Sequence, residues 1–270
     1  MLSSAATVIA VALYFAVGLL AGLRLAQRVP VRLHARGLLL GAGALAVALH
    51  AVVVYDTTLS GGLNLSLTHA LSLVACVVAF LFLVAALRQP IETLAVLIMP
   101  LAGATLILLR WWPGTPAPLP AHTGFMVFHI IVSFLAYSLL SIAVVQSLML
   151  SFQERQLHGK HPGGFLKVLP PVQTMEILMF QMIGLGFALL SLTLVSGVFF
   201  SEEIFGRPLA FTHHIVLSII AWFAFAVLLF GRIRFGWRGR HAVRWTLAGF
   251  TLLALAYFGS KFVFEIVIGA

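Results

Sequence analysis

Residues 122–150 read HTGFMVFHIIVSFLAYSLLSIAVVQSLML, and this stretch decides the fold. It is long enough to cross a bilayer as a helix, and no charged side chain follows it before Glu154 and Arg155. It opens with His122 and His129, which stand seven residues apart. That is close to two helical turns, so the two rings share roughly one face, about 10 Å apart along the axis. His122 is expected at the membrane surface and His129 inside it. Hydrocarbon offers an imidazole no hydrogen bond, and an unpaired polar group there costs several kcal/mol. His129 therefore needs a side chain, a water or a metal.

The rest of the chain has the same character. Of 270 residues, 62% are hydrophobic and only 9% charged, and the mean hydropathy is +1.12. A soluble domain of this size could not hide so much apolar surface, whereas a helical membrane protein needs it as its lipid-facing side. The fold class expected is all-α, a polytopic membrane helix bundle forming one integral domain over 1–270. Hydropathy places eight spans near 4–23, 37–55, 66–87, 91–109, 122–150, 177–200, 213–231 and 242–268. The apolar N-terminal run is too long for a signal peptide and lacks a positive leading region, so it reads as a retained helix.

Charge sets the orientation. The net charge of +9 does not point to nucleic acid, because the basic residues lie in short loops between apolar runs. Alternate loops carry nearly all of them: Arg24, Arg28, Arg32 and Arg36; Arg88; Arg155, Lys160 and Lys167; Arg232, Arg234, Arg238 and Arg240. The positive-inside rule turns these loops to the cytoplasm and both termini outward. Trp111 and Trp112 fall where interfacial aromatics belong, and Tyr55, Trp222 and Trp237 take the same reading. Gly18 with Gly22, and Gly37 with Gly41, have the four-residue spacing that lets helix backbones approach. Glu176 reads as a helix cap behind Pro170 and Pro171.

Topology sorts the ten histidines. His34, His158, His161 and His241 lie among the inner arginines, where a solvated or headgroup role is expected. His50, His69, His122, His129, His213 and His214 all fall on the outer side. Neutral imidazoles in an apolar, phenylalanine-rich bundle suit haem iron, and the near-absence of cysteine and carboxylate among them argues against a closed zinc site. His50 and His129, the most deeply placed, are the first pair expected to ligate; His122, His213, His214 and His69 come second. Adjacent residues point about 100° apart on a helix, so at most one of His213 and His214 faces a given site. Cys76 is the lone cysteine, so no intramolecular disulfide, thiol pair or covalent c-type haem site is available. Neither HExxH nor GxSxG is present, and Ser133, Ser191 and Ser196 read as packing or back-bonding residues, so intrinsic catalysis is not expected.

Five stretches carry a resemblance: HIIVSFLAYSLL at 129–140, LPPVQTMEILMF at 169–180, IGLGFALLSLTLVSGVFF at 183–200, AWFAFAVLLFGRIRFGWRGRHA at 221–242 and LAYFGSKFV at 255–263. In this order and spacing the chain resembles, from about residue 36 onward, the cytochrome c assembly membrane-protein family, the CcsA, CcmC and HemX-like group. The resemblance implies a bacterial inner-membrane protein that binds non-covalent haem b, with haem iron held through His50 and His129, and that handles or delivers haem alongside other cytochrome-assembly or membrane-complex proteins. His129 matches a membrane histidine of the family, His50 the histidine of an early span, and His122, His213 and His214 the outer ligating positions. Larger members carry a tryptophan-rich segment ending in aspartate where this chain reads SEEIFGRPLAFTHHIVLSIIAW, with no tryptophan before Trp222 and no acid after Glu203. Ligase activity is therefore not carried over. The competing reading is a haem-free accessory or transport subunit whose histidines bond within the bundle or bind a divalent metal.

Overall fold

The computed structural model describes residues 2–28, 36–60, 62–114, 124–158, 169–199 and 213–268. Among them the chain is helical outside its short connections and holds no β-strand, as a backbone without water requires, since a helix satisfies its own amides and carbonyls. The helices are α1 (Leu2–Leu25), α2 (Arg36–Val54), α3 (Leu67–Arg88), α4 (Ala95–Trp111), α5 (Gly124–His158), α6 (Val172–Phe199), α7 (His213–Phe235) and α8 (Gly239–Ala254). Helix α2 winds on as a π-helical turn, Tyr55–Leu59, and α8 continues through two π-helical segments, Leu255–Gly259 and Val263–Ile268, to the end of the described chain. All eight, with these extensions, are long and apolar enough to cross a membrane. Their order matches the expected spans; α5 runs on past its apolar stretch to His158, carrying Glu154 and Arg155 within the helix.

The helices fall into two compact units, one of residues 1–118 with 152–174, the other of 119–151 with 175–270. In the first, α1 packs against α2 and α4, and α3 against α2 and α4. Its centre is Tyr14, Leu39, Phe82, Ile98, Met99 and Leu106, all fully buried. Gly18 lies against the ring of Pro100 inside α4, where a Cβ would come within 2.5 Å of the ring. The other three glycines of the expected close-packing pairs do not behave this way: a Cβ at Gly22, Gly37 or Gly41 would meet nothing within 4 Å. Arg36 pairs with Glu92 at 2.6 Å and donates to the carbonyls of Ala86 and Gln89, placing a cation at the C-terminal, negative end of α3.

In the second unit α7 packs along α8, and Leu140, Met175, Ile183 and Phe225 are fully buried. Gly186 of α6 lies so near α5 that a Cβ would sit 2.8 Å from Leu140 Cγ. Tyr137 of α5 donates to the Leu253 carbonyl at 2.7 Å, just before α8 changes to π winding. Glu176 departs from the capping expectation. It is the fifth residue of α6, only 5% exposed, and its carboxylate accepts from the Gly239 amide at 2.7 Å. It thus serves the positive N-terminus of α8, not of its own helix. Trp222 also corrects its interfacial reading. It lies midway along α7, stacks on Phe187 with centroids 5.2 Å apart, and donates from Nε1 to Ser191 at 2.8 Å. Trp111 and Trp112 are exposed at the end of α4, as an interfacial anchor requires.

Candidate functional site

Two intramembrane histidines are built differently, and the difference is chemical. In the first unit, His50 of α2 is fully buried. Its Nδ1 lies 3.1 Å from the Tyr14 hydroxyl on α1, and its Nε2 lies 2.9 Å from Ser72 on α3. Hydroxyls both donate and accept, so a neutral imidazole in either tautomer satisfies both bonds. The ring cross-links three helices and has no nitrogen to spare. His69, one turn before Ser72 on α3, is 5% exposed, with Nδ1 2.7 Å from the Ser66 hydroxyl.

In the second unit, His129 of α5 has its Nδ1 2.8 Å from Ser196 Oγ on α6. Ser196 has one hydroxyl proton, and it is directed to the Thr193 carbonyl at 3.0 Å. With the serine proton on that carbonyl, the imidazole is the donor and carries its proton on Nδ1. Nε2 is then the basic nitrogen, and it carries no hydrogen bond among the described residues. A donor bond from one ring nitrogen that fixes the tautomer and leaves the other lone pair bare is how proteins prepare a histidine for iron. Ser133, one turn along α5, returns its proton to the His129 carbonyl at 2.6 Å and so does not compete for the ring.

The head of α7 brings two more imidazoles to this end of the unit. His214 is half-buried, lies close enough to His129 to interact with it electrostatically, and makes no ring hydrogen bond among the described residues. His213 is exposed, with Nε2 3.1 Å from Ser260, and stacks on Phe264 at 6.2 Å. Of the two adjacent rings, His213 thus meets the end of α8. His122 lies outside the described residues, as does the whole segment between α6 and α7, 200–212. His50 and His129 belong to different compact units. Among the described residues no three histidine, cysteine or acidic side chains converge on a metal-ion site. Haem iron needs only one or two imidazoles, fewer than such a site.

Sequence reasoning missed the partners. Tyr14, Ser72 and Ser196 decide what each histidine can do, and they stand 36, 22 and 67 residues from the rings they bind.

Eight helices long and apolar enough to cross a membrane, with histidines buried within them, describe a polytopic membrane protein. The profile of the cytochrome c assembly protein family matches residues 39–268, and the chain belongs to that family. It is 34% identical over 222 residues to the inner membrane protein YpjD of Escherichia coli strain K12, covering 82% of each chain. The cytochrome c biogenesis protein CcsA of Gloeobacter violaceus is 32% identical over 91 residues, which are 34% of this chain and 27% of that one. Protein HemX of Brevibacillus brevis is 22% identical over 157 residues, 57% of this chain and 58% of its own. No solved structure matches.

Proposed function

We propose that this protein binds b-type haem non-covalently in the bacterial inner membrane and holds it for transfer to the cytochrome assembly apparatus, without ligating it to an apocytochrome itself. The observation that carries this reading is the bare Nε2 of His129, set by the bond from Nδ1 to Ser196. His129 would supply one imidazole to the haem iron and His214 a second, both from the second unit. Bound there, haem would bring redox-active iron and a large apolar surface; the chain's own contribution is to orient the ligand nitrogen and exclude water from it.

His50 stands first among the sequence-based ligands, but to bind iron it must surrender a bond to Tyr14 or Ser72, leaving a buried hydroxyl unpaired at a cost of about 1–3 kcal/mol. His129 surrenders nothing. His50 is therefore assigned a structural part.

The role is carriage, not catalysis. His129 and Ser196 have the spacing of a base and a nucleophile, yet the proton runs from imidazole to serine and on to a carbonyl, opposite to activation. CcsA, named for cytochrome c biogenesis, supports haem and other assembly proteins as partners.

The test is optical. Protein purified in mild detergent and titrated with haemin should acquire a Soret band and sharp reduced α and β bands that His129→Ala abolishes. A chain that stays colourless at stoichiometric haemin overturns the reading and leaves the haem-free accessory subunit in its place.

A further inference from the structure

The second unit carries an ion pair that the haem reading does not use. Lys261 and Glu265, one turn apart in the last part of the final span, lie with Nζ 3.3 Å from the carboxylate. Ionisable groups in a membrane span mark function by default. Their position can be derived. Successive spans alternate in direction, so α5 and α8 run antiparallel. They meet where Tyr137 packs on Tyr257, ring centroids 6.2 Å apart, and on Phe258 at 5.6 Å. From that contact toward the His129 end, four residues along α5 reach Ser133 and eight reach His129. The same steps along α8 reach Lys261 and Glu265. Tyr257 and Glu265 interact electrostatically, so the stripe Tyr257, Lys261, Glu265 holds through the π-helical winding.

A second route arrives at the same place. His213 contacts Ser260 and stacks on Phe264, which fastens the head of α7, with His214 beside it, to the turn that carries Lys261. By these steps Lys261 stands level with Ser133, about one helical turn, ~6 Å, from the level of His129.

An ammonium group has three donors, and among the described residues Lys261 has the one partner, Glu265; its side chain is 34% exposed. It can accept a second anion while Glu265 holds it in place. A cation held beside imidazoles at the end of an apolar span suits a flat hydrophobic ligand with carboxylates at its edge. We propose that Lys261 anchors a carboxylate of the porphyrin bound at His129, with Glu265 as its positioning residue. This rests on the haem reading above and adds the part of the molecule that recognises the porphyrin edge.

The experiment compares haemin with its dimethyl ester, which keeps the iron and ring but has no free carboxylate, on the full chain in detergent. Dissociation constants are read from the Soret titration of wild type, Lys261→Gln and Lys261→Arg. Loss of one charge-assisted bond in Lys261→Gln should weaken haemin by about tenfold or more and leave the ester unchanged, and Lys261→Arg should restore most of the difference. Equal effects on both porphyrins, or none on either, overturn the anchor while leaving His129 as ligand. Absence of a His129-dependent Soret band with both porphyrins overturns the haem reading and the anchor together.

Discussion

Ser196 lies 3.0 Å from the Thr193 carbonyl and 2.8 Å from His129 Nδ1, and with its one proton on the carbonyl it accepts from the imidazole. This single bond between α5 and α6 chooses the tautomer and aims the other nitrogen. Removing it in Ser196→Ala should leave the helices assembled but free the imidazole to rotate and change tautomer. Haemin affinity is expected to fall by about tenfold, the lower end of the range for such supporting bonds. Soret titration checks it, with the melting temperature in detergent as the control for folding.

The network around His50 should behave in the opposite way. His50→Leu strands the hydroxyls of Tyr14 and Ser72 in the first unit and should destabilise the protein by about 2 kcal/mol. Tyr14→Phe leaves Nδ1 of the ring unpaired while Ser72 still holds Nε2, so about 1–3 kcal/mol is expected. Thermal melts of the two variants, read with the haemin titration, separate the roles: stability should drop while the Soret band persists.

Gly186 sets the distance between the helices that carry His129 and Ser196. A Cβ there lies 2.8 Å from Leu140 Cγ, whereas at Gly184, half a turn away, nothing stands within 4 Å. Gly186→Ala should cost about 1–3 kcal/mol by overpacking and weaken haemin binding along with it. Gly184→Ala should change neither, which makes the pair its own control in melts and titrations.

Glu176 offers a fourth check. Its carboxylate accepts from the Gly239 amide at the positive end of α8. Glu176→Ala should lower stability by about 2 kcal/mol, and Glu176→Gln, which keeps an acceptor but not the charge, by about half as much. Melting temperatures in detergent order the two.

The spans were legible because lipid selects for length and apolarity, properties of a segment by itself. That His50 and His129 lie within spans was legible for the same reason, since it follows from position in an apolar run. What each histidine does was not. It depends on how neighbouring helices rotate against one another, and the deciding hydroxyls of Tyr14, Ser72 and Ser196 look in sequence like any other small polar residues. The glycines show the same limit. Four-residue spacing says where a backbone could approach, not what meets it, so Gly18 found Pro100 while Gly22, Gly37 and Gly41 found open space. Trp222 and Glu176 were read from their distance to span ends, but their partners Ser191 and Gly239 come from other helices.

Exogenous imidazole asks most directly whether His129 holds the iron. His129→Gly and His50→Gly would each be reconstituted with haemin and their reduced spectra recorded with and without millimolar imidazole. The expected result is a Soret and α band lost in His129→Gly and restored by imidazole filling the vacated space, with His50→Gly resembling wild type throughout. A wild-type spectrum in His129→Gly, with loss in His50→Gly, would contradict the assignment and return the iron to the first unit.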